Sequence, residues 1–165
     1  LGKPDRALEK KIVFSLDKHG YGMLAKKRVN TRAVFSLEEL IAVILAKCPK
    51  ARFVEAIPVL LLKNEVNEFK LVEAACRHNI MNKLGFLVEV AGWLAAKHKV
   101  KRDYARLLAY LNGNKENRVS FLGEEKDEEY KKFLEETSPQ RLRKWNLLGR
   151  FFDADFERIA KVHCA

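Results

Sequence analysis

The stretch Phe53–Lys63 constrains the fold more than any other part of the chain. It reads Phe-Val-Glu-Ala-Ile-Pro-Val-Leu-Leu-Leu-Lys, and only Glu55 interrupts its apolar run. A helix that is apolar around most of its circumference must be covered by protein on most sides. We therefore expect this stretch to be the central helix of a helical domain. Proline lacks a backbone N–H and clashes with the preceding turn, so the helix should bend or restart at Pro58.

Signals for further helix starts precede several amphipathic segments. Ser36 and Glu39 form a capping-box pattern, and Asn67 precedes a segment with helical apolar spacing. Ser138 and Pro139 are a cap followed by a first-turn proline, and they predict a helix that continues through Leu148. A last helix is predicted to be capped by Asp153.

These patterns predict an all-α fold, a compact bundle of about eight helices with orthogonal helix pairs. One short β-hairpin is left open, because Val29–Phe35 and Val119–Leu122 contain residues that favour strands. The loop at residues 112–117 is the best candidate for an internal boundary. It divides a helical core domain, 1–111, from a C-terminal helical subdomain, 112–165, unless the two form a single domain.

Composition limits the functional classes. The three cysteines, Cys48, Cys76 and Cys164, are far apart and belong to no CxxC pair, so neither a disulfide framework nor a zinc site is predicted. The chain has no Walker A loop, no HExxH and no GxSxG. We expect no metal and no cofactor, and the sequence leaves catalysis undecided. The longest run of apolar residues, Leu40–Ala46, is far shorter than a membrane span, which favours a cytoplasmic protein.

Positive charge is unevenly distributed along the chain. The net charge is +10, and residues 1–32 contribute +6, residues 101–118 contribute +3 and residues 141–165 contribute +3. Residues 33–100 add only +2, while residues 119–140 are net −4. A protein this basic attracts polyanions, nucleic acid first. The excess lies at the two ends and in one loop, so the ends are the predicted binding regions.

Two groups of residues are the candidates for nucleic-acid contact. Their cations would bind phosphate, and aromatic side chains among them would offer stacking surfaces for unpaired bases. The alternative is that the aromatic side chains belong to the core and the charges to a solvated face. The candidates are Lys10, Lys11, Lys26, Lys27, Arg28 and Arg32 near the N-terminus, and Arg141, Arg143, Lys144, Trp145 and Arg150 near the C-terminus, beside Phe151 and Phe152.

A second hypothesis concerns Arg158-Ile-Ala-Lys-Val-His163. This stretch resembles the Arg-x4-His pattern of the HEPN family of helical ribonucleases. The resemblance implies metal-independent RNA cleavage, in which His163 acts as acid and base and Arg158 steadies the phosphate. The stretch departs from the family pattern because no polar residue follows the arginine.

Two further phrases carry another resemblance. Residues 82–89, Asn-Lys-Leu-Gly-Phe-Leu-Val-Glu, and residues 141–152, Arg-Leu-Arg-Lys-Trp-Asn-Leu-Leu-Gly-Arg-Phe-Phe, resemble a group of helical proteins of hyperthermophilic archaea, which implies no function. The first phrase is also similar to the helical half of abortive-infection antitoxin repressors, although their winged-helix N-terminus has no counterpart here. A thermophilic source agrees with the composition, in which 54 charged residues stand against 16 Asn, Gln, Ser and Thr.

The sequence thus favours a DNA-binding protein over an RNA-binding one, with phosphate contacts that are independent of base sequence. The first alternative is a helical interaction module, such as a homodimer, without a nucleic-acid role. The second alternative is the HEPN-like ribonuclease.

Overall fold

The structure, a computed structural model, describes residues 5–22 and 34–164. This part of the chain is mainly helical with two very short strands, so the predicted fold class is confirmed. The helical segments are α1 (Arg6–Lys18), α2 (Leu37–Lys47), α3 (Ala51–Val54), α4 (Ile57–Lys63), α5 (Glu68–Arg77), α6 (Met81–Lys97), α7 (Ala105–Gly113), α8 (Glu128–Thr137), α9 (Gln140–Lys144) and α10 (Asp153–His163). The strands are β1 (Ser120–Phe121) and β2 (Leu147–Leu148).

The central apolar stretch is one helix in two pieces, α3 and α4. The break falls at Glu55 and Ala56, and Pro58 lies in the first turn of α4. In that position its missing N–H leaves no helical hydrogen bond unmade, so the predicted restart is confirmed. Residues 57–62 are all buried, and α4 packs against α6 and α10.

The helix α6 lies at the centre of the packing and contacts α4, α5, α7 and α10. Its Gly85 is fully covered by the indole of Trp145, which comes from the end of α9. The phenol of Tyr104, just before α7, donates to Leu61 O at 2.7 Å and ties α7 to α4. Burial raises the pKa of this phenol to about 12, so it stays protonated and keeps the bond.

Two of the predicted caps are confirmed by their hydrogen bonds. Ser36 Oγ accepts from Glu39 N at 3.3 Å, and Asn67 Oδ1 accepts from Lys70 N at 3.1 Å. The predicted cap at Asp153 is wrong by one residue, because Phe152 is the N-cap and Asp153 is the first helical residue. The carboxylate of Asp155 accepts from Phe152 N at 3.3 Å instead.

The predicted helix from Ser138 through Leu148 is wrong at its start and in its second half. Ser138 is the C-cap of α8, and Pro139 is the N-cap of α9. α9 ends at Lys144, Asn146 takes a φ of 56°, and the next two residues form β2. β2 pairs in parallel with β1, in the register Ser120 to Leu147 and Phe121 to Leu148. A strand within 119–122 is therefore confirmed, but its partner is β2. Of the other predicted strand, residues 29–33 lie outside the described residues, and Val34 and Phe35 form no strand.

The hydrophobic core continues across the predicted boundary at residue 112. Phe156 of α10 packs edge-on against Phe86 of α6, with ring centroids 6.0 Å apart. Asn82 of α6 forms two hydrogen bonds with the backbone of Glu116, both at 2.8 Å. The division into two subdomains stays a prediction. In the described part of the chain, every helix is too short or too polar to cross a membrane.

Candidate nucleic-acid interface

The predicted cations of α9 are largely engaged within the fold. Arg141 donates from Nε and Nη2 to the two carboxylate oxygens of Asp153, at 3.0 and 3.1 Å, and from Nη1 to Glu89 at 3.4 Å. Burial acts to lower the pKa of this guanidinium, but the hydrogen bonds and charges of Asp153 and Glu89 raise it above its usual value. Lys144 also donates to Glu89. These two cations hold α9 against α6 and α10.

Arg143 is engaged with carbonyl groups. Its Nε donates to Ser138 O at 2.8 Å and its Nη2 to Glu135 O, both at the C-terminal end of α8. Helix C-termini carry unpaired carbonyls and a partial negative charge, which a guanidinium satisfies. The role that the geometry gives Arg143 is to cap α8.

The prediction that Trp145 offers a stacking surface is wrong. Its side chain is 1% exposed, with the ring against Gly85. Phe151 is buried as well. A base can stack only on an exposed ring face, so neither side chain can bind an unpaired base without unfolding this region. The sequence could not show that these rings are buried, because an aromatic residue flanked by cations occurs both in cores and on surfaces.

Arg150 and Phe152 do lie on the surface, together with two aromatic residues of α8. The guanidinium carbon of Arg150 lies 5.4 Å from the ring centroids of both Phe133 and Phe152. Tyr130 lies beside Phe133, with ring centroids 5.8 Å apart. All four side chains are exposed. We call Tyr130, Phe133, Arg150 and Phe152 the α8 aromatic surface.

The N-terminal candidates divide into two sets. Lys10 is exposed on α1, and the Lys11 ammonium lies 4.1 Å from the ring centroid of Phe35. Lys26, Lys27, Arg28 and Arg32 lie outside the described residues, so their assignment stays a sequence prediction. Together with Lys3 they carry five of the ten net positive charges, and the described residues are net +5.

Sequence reasoning missed the densest group of cations in the described part of the chain. Lys97-His-Lys-Val-Lys-Arg102 places four cations and a histidine in six residues. The charge count divided the chain at residue 100 and assigned half of this run to a segment that is nearly neutral overall. A net charge summed over a short sliding window along the sequence would have shown this run.

This run forms the turn between α6 and α7. His98 N donates to Leu94 O and Val100 N to Ala95 O, both at 2.9 Å, which ends α6 in a left-handed turn at Lys99, whose φ is 55°. Arg102 Nε then donates to Leu62 O at 3.2 Å, which holds the run against the end of α4.

Cations from two other elements meet the run. Lys63, the last residue of α4, donates to Gly20 O at 3.0 Å. Glu157 of α10 lies 3.5 Å from Lys97, 3.3 Å from His98 and 4.0 Å from Lys161. One carboxylate is thus shared by three basic groups. We call this surface the basic end and define it by Lys63, Lys97, Lys99, Lys101, Arg102 and Lys161.

Carboxylates limit the basic end on one side. A cleft of about 300 Å³ lies between the end of α4 and the start of α7, and its lining includes Glu65, Glu68 and Asp103 beside Lys101 and Arg102. These carboxylates should repel a polyanion from the interior of the cleft, so the attraction is strongest along the exposed side chains of Lys97, Lys99, Lys101 and Lys161.

Lys99 occupies a backbone conformation that lysine rarely adopts. In the equivalent position after α1 the chain has Gly20, with a φ of 97°, and after α5 it has Asn79, with a φ of 54°. Glycine and asparagine tolerate this region, whereas a lysine there costs about 1 kcal/mol because its Cβ crowds the backbone. Strained residues of this kind are found more often at functional sites.

The described residues on either side of 23–33 are held to the fold by ring stacking and hydrogen bonds. The ring of Tyr21 stacks on His163, with centroids 4.3 Å apart, and Asn64 Nδ2 donates to His19 O at 2.9 Å. On the other side, Phe35 N donates to Ser15 Oγ at 3.1 Å. Tyr21 is therefore fixed against α10 and His19 against the end of α4, whereas Phe35 is fixed against α1.

The two residues of the ribonuclease hypothesis have different surroundings. Arg158 is exposed and lies 3.7 Å from Asp155, whereas His163 stacks on Tyr21. Five residues apart on a helix, their side chains leave the axis about 140° apart. Burial, helped by the charge of Lys63, lowers the pKa of His163, which favours its neutral form. The ribonuclease hypothesis stays a prediction.

The comparisons with known proteins give no family assignment. No protein-family model, no curated protein and no solved structure matches the chain significantly. Within the described residues, no three His, Cys, Asp or Glu side chains lie together in a way that could hold a metal ion.

Proposed function

We propose that this protein binds nucleic acid, duplex DNA in particular, through phosphate contacts made by the basic end. The observation that carries the proposal is the basic end itself, six cations that come from the ends of α4 and α6, the α6–α7 turn and α10. Two of them, Lys97 and Lys161, share the carboxylate of Glu157 with His98. Lysine and arginine contacts to phosphate release counterions and need no base recognition. Binding should therefore be strong at low salt and independent of base sequence.

Two observations support DNA duplex over single strands. Duplex DNA has a high linear charge density, about one charge per 1.7 Å, so it gains most from a compact group of cations. Single-strand binding also needs exposed aromatic faces among the cations, and the aromatic residue predicted for that task, Trp145, is buried. The exposed rings of Phe133 and Tyr130 lie on α8, in the net negative part of the chain, where polyanions are disfavoured.

Fluorescence anisotropy with a labelled duplex, a single strand and an RNA of equal length tests the proposal. The informative variant is Lys99→Gly with Lys101→Ala, because glycine suits the backbone at 99 and Lys101 is exposed. Each phosphate contact contributes about 0.9 to the slope of log association constant against log salt concentration. Two lost contacts should therefore weaken duplex binding about 60-fold at ~0.1 M salt.

The matched control is Lys126→Ala with Lys132→Ala, which removes the same charge from exposed positions of the acidic α8 region. It should change duplex affinity little. Equal losses in both variants would show that only net charge matters, and the absence of binding at low salt would remove the proposal. Checking the length of the RNA after incubation also tests the ribonuclease alternative, with His163→Ala as its comparison.

A further inference from the structure

One face of α8 lacks a partner within the described fold. Leu134 is the only fully buried residue of this ten-residue helix. On the same face, Phe133 is 43% exposed and Tyr130 is 37% exposed, and Phe152 extends the apolar area from the neighbouring loop. Exposed aromatic residues that lie side by side are typical of interaction surfaces, whereas scattered single ones are not.

The α8 aromatic surface continues into a groove. A cleft of about 210 Å³ runs beside it, with Phe121, Leu134, Leu148 and Phe151 among its lining residues. Tyr130 and Arg150 lie at its rim as well as on the aromatic surface. The groove gives an incoming apolar side chain a place to be buried, which is what a central contact of a protein interface needs.

The surroundings of this surface are acidic, and their charges are not compensated locally. Residues 124–136 contain seven carboxylates and three lysines. In the described part of the chain, none of these seven carboxylates forms an ion pair. On α8, Phe133 has Glu129 one turn before it and Glu136 one turn after it on the same side of the helix. The partner that fits is cationic around an apolar contact.

The same chain carries a surface of the opposite charge. The basic end presents Lys97, Lys99, Lys101 and Lys161 at the C-terminal ends of α6 and α10. α8 packs instead on β2, on the side of the molecule where Trp145 covers Gly85, three turns before the end of α6. The two surfaces of opposite charge therefore lie at different places on one molecule.

We propose that the α8 aromatic surface binds the basic end of a second copy of this chain, head to tail. Because different surfaces meet, the contact is heterologous, and each molecule keeps one free surface of each kind. The association extends to short chains or closes into a ring. It does not depend on nucleic-acid binding, but DNA competes with it, because both use the basic end.

Light scattering coupled to gel filtration, without nucleic acid and over protein concentrations from ~1 μM to ~1 mM, measures the association. The average mass should rise with concentration at low salt and fall when salt is raised. Phe133→Ser should weaken association about 30-fold, the loss expected when a central aromatic contact is removed. Phe69→Ser is the matched control, since Phe69 is 78% exposed on α5 and belongs to neither surface.

Mixing two variants gives the sharpest result. Phe133→Ser keeps its basic end, and Lys99→Gly with Lys101→Ala keeps its aromatic surface, so each alone should be a monomer and the mixture should form a one-to-one dimer. A wild-type monomer at every concentration would overturn the proposal. So would equal losses in Phe133→Ser and Phe69→Ser, or a mixture that stays monomeric. If DNA binding fails while the mixture pairs, the function proposed above is wrong and this contact stands.

Discussion

Gly85 and Gly92 lie two turns apart on α6, and replacing each by alanine should have opposite effects on stability. At position 85, an added Cβ would lie 2.2 Å from Cζ3 of Trp145 and 2.6 Å from both Cε3 and Cη2. At position 92, the nearest atom would be Cδ2 of Tyr104 at 3.8 Å, an ordinary contact. The same chemical change therefore overlaps a buried ring in one place and fits at an ordinary contact distance in the other.

The magnitudes follow from two effects. Alanine is favoured over glycine within a helix by about 1 kcal/mol, which applies at both positions. At position 85 the indole must move by more than ~1 Å to reach a normal carbon–carbon distance, and a buried ring in a close-packed core cannot do so freely. Overpacking of this severity costs about 3 kcal/mol. The expected changes in unfolding free energy are about −2 kcal/mol for Gly85→Ala and about +1 kcal/mol for Gly92→Ala.

Thermal and urea unfolding measure both variants. Gly85→Ala should lower Tm by about 4–8 °C, and Gly92→Ala should raise it by about 2–4 °C. Adding Trp145→Leu to Gly85→Ala should make the double variant more stable than the sum of the single losses, because the smaller side chain leaves room for the methyl group. If the two glycine variants change stability equally, Trp145 does not pack on Gly85 and the position of α9 is wrong.

Three further predictions concern charge and backbone. Lys99→Gly should raise the unfolding free energy by about 1 kcal/mol, because glycine prefers the positive φ, whereas an unchanged or lower value would contradict that conformation. Burial and the charge of Asp155 raise the pKa of Glu55 above 4.5, although Arg158 acts in the opposite direction. The folded state therefore favours the protonated carboxyl group, and the stability that this form supplies is lost as pH rises through the folded-state pKa. Glu55→Gln should therefore unfold at a higher temperature than wild type near pH 7 and at the same temperature near pH 4, and a difference that does not depend on pH would contradict this. Arg141→Ala should cost about 1–3 kcal/mol in urea unfolding, because it breaks hydrogen bonds to Asp153 and Glu89, and it should leave duplex affinity unchanged.

The local features of the fold could be read from the sequence where a residue acts on its own neighbours. Ser36 and Asn67 cap helices because their side chains reach a backbone N–H three residues ahead. Pro58 restarts the central helix because its ring fixes the backbone of its own turn. Such effects need no knowledge of the tertiary structure.

Features that depend on distant partners could not be read in this way. Leu147 and Leu148 suit a helix as well as a strand, and their pairing with Ser120 and Phe121 depends on a contact across 27 residues. Trp145 is buried because Gly85 leaves room for it on α6, and no local pattern links the two positions. In both cases tertiary packing overrode a local preference.

The sequence predicted the kind of candidate site, a cluster of cations, but only part of its position in the fold. Arg141, Arg143 and Lys144 were chosen because they cluster in sequence, yet their partners are Asp153, Glu89 and backbone carbonyls of the same molecule. A sequence shows how many cations a segment has, and only the fold shows which of them already have partners. In the α6–α7 turn, Lys99 and Lys101 remain exposed and form no ion pair among the described residues.

The salt dependence of duplex binding tests the central claim most directly. The logarithm of the association constant should fall linearly with the logarithm of salt concentration, by about 0.9 for each phosphate contacted. Replacing Lys99 by glycine and Lys101 by alanine should make this slope shallower by about 1.8, while replacing Lys126 and Lys132 by alanine should leave it unchanged. A wild-type slope in the first variant, or the same change in both, would show that the basic end does not contact DNA.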